Sequence, residues 1–444
     1  MSTNPSTTPA RKPGTVAFAS YIGTTIEWYD FFIYGIAATL VFSTQFFPEF
    51  SDLGGTLAAL ATFAVGFIAR PIGGVVMGHF GDRVGRKSML VISLLTMGIA
   101  TTLIGLLPTY ETIGVWAPIL LVVLRLAQGV GVGGEWAGAV LMAVEHAPPK
   151  KRSLYGAFPQ LGLPSGILLS QLVYLVLTST LADGAFAEWG WRIPFLISAA
   201  LIVVGLVIRL RIEESDDFQK VQEAGKVEKL PIVEAFRTTP LQLLIGSLAS
   251  IAAPALGYLV SVYMVSYGTE QLGLPNTTML WSIVAVSVPW IVLVLTSGIA
   301  GDRFGRKRTF VAGAALTVLW AFPMFWLVDT ATVAGIFVGL LGATVANATM
   351  SGPQPALITG MFPVRLRYSG SSVSYQVGSI VGGGIVPMLA TTLYAEFGTT
   401  VALSALVAGI GLTSLTAILV ANRRILGGHG EAGTAENTRE PAAR

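Results

Sequence analysis

Cysteine is absent from the chain, and charge is scarce. With no cysteine, disulfides and thiolate metal sites are excluded, and nothing can be read about redox compartment. Charged residues are only 11% of the 444 positions, far too few for the surface of a soluble protein of this length. His79, His146 and His429 are scattered, which argues against a metal site. There is no P-loop and no Gly-x-Ser-x-Gly elbow, so the sequence supports neither ATP hydrolysis nor an esterase-type enzyme, and no cofactor is called for. The N-terminal "MSTNPSTTPARKPG" lacks the short apolar core and small-residue cleavage site of a removable signal peptide.

What the chain does have is apolar length. Hydrophobic residues reach 53% and mean hydropathy is +0.70. "SMLVISLLTMGIATTLIGLL" (88–107) and "TFVAGAALTVLWAFPMFWLV" (309–328) are charge-free, each long enough to cross a bilayer as a helix at ~1.5 Å per residue. Apolar runs between polar breaks predict twelve transmembrane helices: 15–41, 56–80, 88–107, 115–143, 154–178, 191–210, 240–266, 277–300, 309–328, 332–354, 368–393 and 399–421. The implied division is a terminal segment 1–14, a six-helix bundle 15–210, an interdomain loop 211–239, a second bundle 240–424 and a tail 425–444. The loop is charged and reads as a solvated linker. The tail, rich in Gly and Ala and without apolar periodicity, reads as disordered.

Charge segregates between alternate loops. Arg83, Arg86, Lys87, Lys150, Lys151, Arg152, Arg303, Arg306, Lys307, Arg308, Arg365 and Arg367 fall on one side, with Arg11, Lys12, Arg423 and Arg424 flanking the first and last spans. The other side holds Glu49, Asp52, Glu111, Asp183, Glu188, Glu270, Asp329 and Glu396. The positive-inside rule therefore predicts a multi-pass cell-membrane protein with both termini cytoplasmic. The pI of about 9.0 reflects these loops facing an anionic leaflet, not a nucleic-acid partner.

The charged decapeptide "GHFGDRVGRK" (78–87) returns as "GIAGDRFGRK" (298–307). A looser echo pairs "PPKKRSLYGAFPQLGLPSG" (148–166) with "FPVRLRYSGSSVSYQVGSIVGGG" (362–384). Both copies occupy equivalent loops, which implies two parallel six-helix repeats about an axis normal to the membrane. In the first copy Gly81 and Gly85 permit a tight turn. Asp82 is a carboxylate placed to meet the positive N-terminal end of a neighbouring helix. Arg83, Arg86 and Lys87 hold the loop in the cytoplasm. Asp302, Arg303, Gly305 and Arg306 repeat the pattern.

On these residues the sequence resembles the major facilitator superfamily, whose signature loop between helices two and three is G-x-x-x-D-R-x-G-R-K/R. The resemblance implies that Asp82 and Asp302, with Gly81, Arg83, Gly85, Arg86, Arg303, Gly305 and Arg306, form a conformational gate between the halves. "EWYDFFIYG" (27–35), "RPIGGVVMGHFGDRVGRK" (70–87), "RLAQGVGVGGEWAGA" (125–139) and "WGWRIPF" (189–195) are similar to the bacterial metabolite:proton symporters, which take up citrate, 2-oxoglutarate, shikimate, dicarboxylates, or proline and betaine. "TLAALATFAVGFIARP", "GVGGEWAGA" and "YSGSSVSYQVGSIVGGG" are most like the shikimate-transporter branch, which carries Asp where Glu27 stands here.

Five ionisable residues stand out inside spans: Glu27, Asp30, Arg70, Arg125 and Glu135. Each would cost roughly 2.5–3.5 kcal/mol facing lipid, so they should line a cavity or pair together. Glu27 and Asp30 share a helix face, Arg70 and Arg125 lie at similar depth, and Glu135 sits ~15 Å further along span four. Three acids against two bases leave a net of −1, and a proton on one carboxylate would remove the cost of adding an anionic substrate. Asp30, then Glu27 and Glu135, are the proton-coupling candidates. The alternative is a set of structural ion pairs. Arg125 and then Arg70 are the candidate carboxylate clamps.

The second half offers Tyr258, Tyr263, Trp281, Trp290, Asn347, Gln354, Tyr375 and Gln376 for a carbon skeleton and its hydroxyls. Gln128, Trp136 and Gln160 join the substrate candidates from the first. The dense glycines of spans four and eleven and Pro159, Pro164, Pro353, Pro355 and Pro387 suit close, bent helices. The expected function is proton-driven import of a small carboxylate, shikimate-like or dicarboxylic, by alternating access. A proline or betaine symporter is the second reading, although the tail lacks the heptads of osmosensory carriers. A transporter-like nutrient sensor without flux is the third.

Overall fold

A computed structural model describes residues 13–50, 52–182, 184–210 and 231–426. The N-terminal segment up to residue 12, most of the predicted linker (211–230) and the tail from residue 427 lie outside the described residues. Among the described residues there are twelve helical spans. Span one is Pro13–Ala37, continued by a π-turn Ala38–Phe42 and the short helix Ser43–Phe46. Spans two to four are Asp52–Val84, Arg86–Leu106 and Trp116–Glu145. Spans five to eight are Pro149–Thr180, Phe186–Leu210, Pro240–Gln271 and Asn276–Phe304. Spans nine to twelve are Arg306–Val328, Val333–Thr359, Val364–Phe397 and Thr400–Val420. Ten are long and apolar enough to cross a bilayer; the other two are spans one and two, which carry Glu27, Asp30 and Arg70.

The repeated decapeptide does the same work twice. Gly85 (φ 118°) and Gly305 (φ 101°) are the single residues that separate spans two from three and eight from nine. That backbone region suits glycine alone. Lys87 Nζ donates to the carbonyl of Leu210 (3.0 Å) and Lys307 Nζ to that of Ala421 (2.8 Å), so each copy sets a cation on the carbonyl end of its half's last span.

Proline decides where spans break. Its ring clashes with the carbonyl four residues earlier. Span five is interrupted at Leu161, just past the residue four before Pro164. Span seven breaks at Ser250 and Ile251, before Pro254. Span eleven widens into a π-turn, Ile380–Ile385, ahead of Pro387. Span ten breaks at Gly352 and Pro353. The π-turns of spans one and seven (Leu259–Tyr263 and Tyr267–Gln271) were not legible from proline.

Two expectations change. The end of the predicted linker is a helix, Pro231–Thr238, with Pro231 and Ala235 buried, because its apolar face covers the ends of spans two and eleven. Trp281 is 54% exposed on the apolar outer surface, so it faces the bilayer, not the interior.

Candidate functional site

The broken spans meet around a cavity between the two halves. Its wall is Trp28, Gln160, Leu163, Ala253, Pro254, Gly257, Tyr258, Asn347, Ser351, Gln354 and Tyr375. Spans one, five, seven, ten and eleven contribute, so both halves do. The wall is aromatic and amide-rich with no charged side chain, a composition suited to a small polar organic molecule.

Charge lies directly behind it. Arg70 Nη1 donates to the Tyr258 hydroxyl (3.2 Å), and its guanidinium rests over Phe31 (4.5 Å) and Trp28 (5.4 Å). Arg125 lies over Tyr34 (4.1 Å) and Phe31 (5.0 Å). Phe31 therefore stands between the two guanidiniums, and cation–π contact helps hold both out of water. From Arg125 a chain of polar groups runs to Asp30. Arg125 Nη1 donates to Gln128 Oε1 (2.5 Å), Gln128 Nε2 to Thr101 Oγ1 (2.7 Å), and Thr101 Oγ1 to Asp30 Oδ2 (3.0 Å). Ser198 Oγ donates to Asp30 Oδ1 (2.5 Å). Asp30 is completely buried among spans one, three and six.

Glu135 is held differently. It forms an ion pair with Arg209 of span six, accepts from Ser93 Oγ (3.1 Å), and Arg209 Nη1 also donates to the Leu90 carbonyl (2.5 Å). Glu27 is buried and interacts electrostatically with Glu135, Arg70, Arg209 and Asp30. Arg209, 3% exposed, joins the five intramembrane ionisable residues read from the sequence. The earlier balance of −1 becomes three acids against three bases, a net of zero. Arg209 lies at the end of the predicted span 191–210 but was not among the five ionisable residues singled out inside spans.

On the basic-loop face the halves are clasped. The N–H groups of Tyr368 and Ser369, at the start of the helix Arg367–Ser379, donate to Asp82 Oδ1 (3.2 Å) and Oδ2 (2.8 Å). Reciprocally, the N–H groups of Ser153 and Leu154, in the first turn of Arg152–Gln160, donate to Asp302 Oδ1 (2.8 Å) and Oδ2 (2.9 Å). Each carboxylate of one half thus sits on a helix N-terminus of the other. Arg86, fully buried, pairs with Glu145, which also takes Arg367 at 3.1 Å. Further in, Trp136 and Tyr375 stack at 3.8 Å and 2°, Gln376 Nε2 donates to the Gly133 carbonyl (2.5 Å), and the Tyr368 hydroxyl donates to that of Gly134 (2.8 Å). This is a conformation closed on the basic face.

The Major Facilitator Superfamily profile matches residues 20–387. The chain belongs to that superfamily. It is 43% identical over 423 residues to the inner membrane metabolite transport protein YhjE of Escherichia coli K12, covering 94% of this chain and 96% of that one. It is 41% identical over 415 residues to the shikimate transporter of the same organism, covering 91% and 93%. In fold it is similar to the proton:xylose symporter XylE bound to 6-bromo-6-deoxy-D-glucose, with a TM-score of 0.73, 18% identity and coverage of 92% and 94%. This superfamily member is a multi-pass inner-membrane transporter and not an enzyme.

Among the substrate candidates read from sequence, Gln160, Tyr258, Asn347, Gln354 and Tyr375 line the transporter's cavity. Trp136 stands one contact away, donating from Nε1 to Gln160 Oε1 (2.8 Å). Arg70 touches the wall; Arg125 and Gln128 sit deeper, on the Asp30 side. Tyr263 stacks on Tyr267 instead (6.1 Å), and Gln376 is occupied at the joint between halves. Trp290 donates to Asn347 Oδ1 (3.1 Å) from behind the wall. Trp28, Ser351, Thr101 and Ser198 were missed. Trp28 stood inside "EWYDFFIYG", but the hydroxyls carried no signal, because Ser and Thr are routine in membrane helices.

The decapeptide also needs correcting in detail. Gly85 makes the turn, but Gly81 is helical, and a side chain there would collide with the Tyr368 ring. Arg86 is an interior ion-pair partner, while Arg83 and Arg303 are exposed and Arg306 is half-buried, donating to the Ala356 carbonyl (3.4 Å).

Asp82→Asn keeps one acceptor oxygen but gives up the charge and one N–H bond. It should weaken the clasp by roughly 1.5–3 kcal/mol. The expected result is slowed transport with substrate affinity within a few-fold of wild type. Initial rates in vesicles and equilibrium binding check this separately, and lost affinity with a normal rate would contradict a gating role.

Proposed function

We propose that this transporter imports a small carboxylate metabolite together with protons, with shikimate-like hydroxy acids the leading class and both termini in the cytoplasm. The observation that carries the reading is a neutral polar cavity whose wall residue Tyr258 is hydrogen-bonded to buried Arg70, in the same layer as Asp30 and Glu27. With Glu27 and Asp30 against Arg70 and Arg125 the charges balance when ionised, and Glu135 is separately neutralised by Arg209. An entering carboxylate brings one negative charge into a poorly solvated space, and one proton restores neutrality. Arg70 takes precedence over Arg125 as the carboxylate partner because it reaches the wall. Asp30 is the proton carrier, since its described partners are hydroxyls, which serve a carboxylate or a carboxylic acid alike. The 41% identity to a shikimate transporter supports the substrate class, and the segregation of basic loops supports the orientation.

The test is uptake of labelled shikimate into proteoliposomes. Accumulation should rise with an inward proton gradient and collapse on adding a protonophore. Equilibration indifferent to the gradient would make this a facilitator, and binding without flux would make it a sensor. Excess unlabelled betaine or proline should compete weakly; strong competition would favour the osmolyte reading.

A further inference from the structure

The neutral wall is uneven in what it can bond. Asn347 of span ten has its oxygen committed: Oδ1 accepts from Trp290 Nε1 (3.1 Å) and Ser351 Oγ (3.0 Å), and one Nδ2 hydrogen goes to the Ala253 carbonyl (2.6 Å). Ser351 has thereby used its only proton and offers the cavity lone pairs. Gln354, just past the Pro353 break, is fully buried, and its Nε2 donates to Ser250 Oγ (3.3 Å). Its Oε1 is buried with no hydrogen-bond partner among the described residues. Both residues line the cavity. Span ten therefore presents two acceptors, three positions apart, to whatever occupies the space. A buried acceptor without a donor is unfavourable, so the complementary occupant brings hydrogen-bond donors, which on a small carboxylate of the proposed class are O–H groups.

We infer that Ser351 Oγ and Gln354 Oε1 form the hydroxyl-recognition edge of this cavity, and that Gln354 sets specificity for hydroxylated carboxylates over carboxylates and zwitterions that have no O–H donor. The inference rests on the carboxylate reading above. It adds which part of the substrate the second half grips. Span ten is interrupted at Gly352 and Pro353, directly before Gln354 on the cavity wall. A trimethylated zwitterion such as betaine, which has no O–H or N–H donor, would leave both acceptors unanswered. Sites built to bond a hydroxyl reject analogues that lack it far better than apolar pockets reject a missing methylene.

Calorimetric binding to the full-length transporter in lipid nanodiscs tests this with three probes. Shikimate carries ring hydroxyls; cyclohexenecarboxylate keeps the ring and the carboxylate without them; glycine betaine has no donor. Wild type should bind shikimate roughly tenfold or more tighter than cyclohexenecarboxylate. Gln354→Met should collapse that ratio by weakening shikimate alone, an effect that a structural role would not produce. The wild-type ratio needs no variant, so it decides the matter if Gln354→Met fails to fold. Equal affinity of the two carboxylates for wild type, or equal loss of both in Gln354→Met, would overturn the hydroxyl assignment and leave the carboxylate reading standing. Binding of betaine with neither carboxylate bound would overturn the carboxylate reading and the inference together.

Discussion

Asp30→Asn should abolish gradient-driven accumulation while leaving exchange of substrate between loaded vesicles and medium intact. The amide has the shape and neutrality of the proton-loaded carboxyl. A carrier fixed in that form can bind and exchange substrate but cannot release a proton to complete a net cycle. The variant should also fold. Thr101 and Ser198 are hydroxyls (3.0 and 2.5 Å from the carboxylate) that can turn to donate to Oδ1 or accept from Nδ2, so the structural penalty is about 1 kcal/mol. Had a buried guanidinium been the direct partner, the same substitution would cost about 3–5 kcal/mol and expression would fall with transport. Counterflow and accumulation, measured on one preparation with a melting curve alongside, distinguish these outcomes. Full accumulation by Asp30→Asn would remove it as the carrier and pass the role to Glu27, tested in the same way with Glu27→Gln.

Arg209→Ala should be the most destabilising single change in the first bundle, by about 3–5 kcal/mol, because it leaves Glu135 buried without its cation. Gly23 of span one packs directly against the Arg209 guanidinium, so the site cannot relax by swinging a neighbour in. Replacing both partners with apolar residues of similar size, Glu135→Leu with Arg209→Met, should recover most of that loss, since no charge is then stranded. Thermal melting of the purified single and double variants measures both quantities. If the double variant also accumulates substrate, the pair is architectural. If it folds but no longer couples to the gradient, Glu135 takes part in proton movement. Retention of wild-type stability by Arg209→Ala would contradict the pairing.

Much of this transporter is legible in one dimension, for reasons that differ from residue to residue. Hydropathy marks the spans because a backbone crossing lipid must satisfy its own hydrogen bonds and so must be helical over about 20 residues. The repeat is visible because glycine at 85 and 305 has no substitute at those backbone angles. Asp82 and Asp302 announced a helix N-terminus because a carboxylate at the membrane edge has few other favourable partners. The substrate wall was only half visible. Gln160, Tyr258, Asn347, Gln354 and Tyr375 were polar enough to notice in apolar spans, whereas Ser351 was not.

Pairing is where sequence reasoning failed, and the failures share a cause. Arg209 went uncounted at the end of span six, yet that span turns it inward onto Glu135. Arg86 looked like a topogenic charge, yet Glu145 and the start of span eleven bury it. Gln376 and Tyr263 looked like substrate ligands, yet one bonds the Gly133 carbonyl across the halves and the other stacks on Tyr267. By itself the sequence determined that this chain spans the membrane, how many times, in which repeats, and that charge lies buried in its first half. Those properties follow from transfer free energies and backbone angles, which are local to each residue. Which charge meets which, and which polar groups face the cavity, was decided by tertiary structure alone. Those depend on helix rotation and on where proline breaks each span, and helices far apart in the chain set them together.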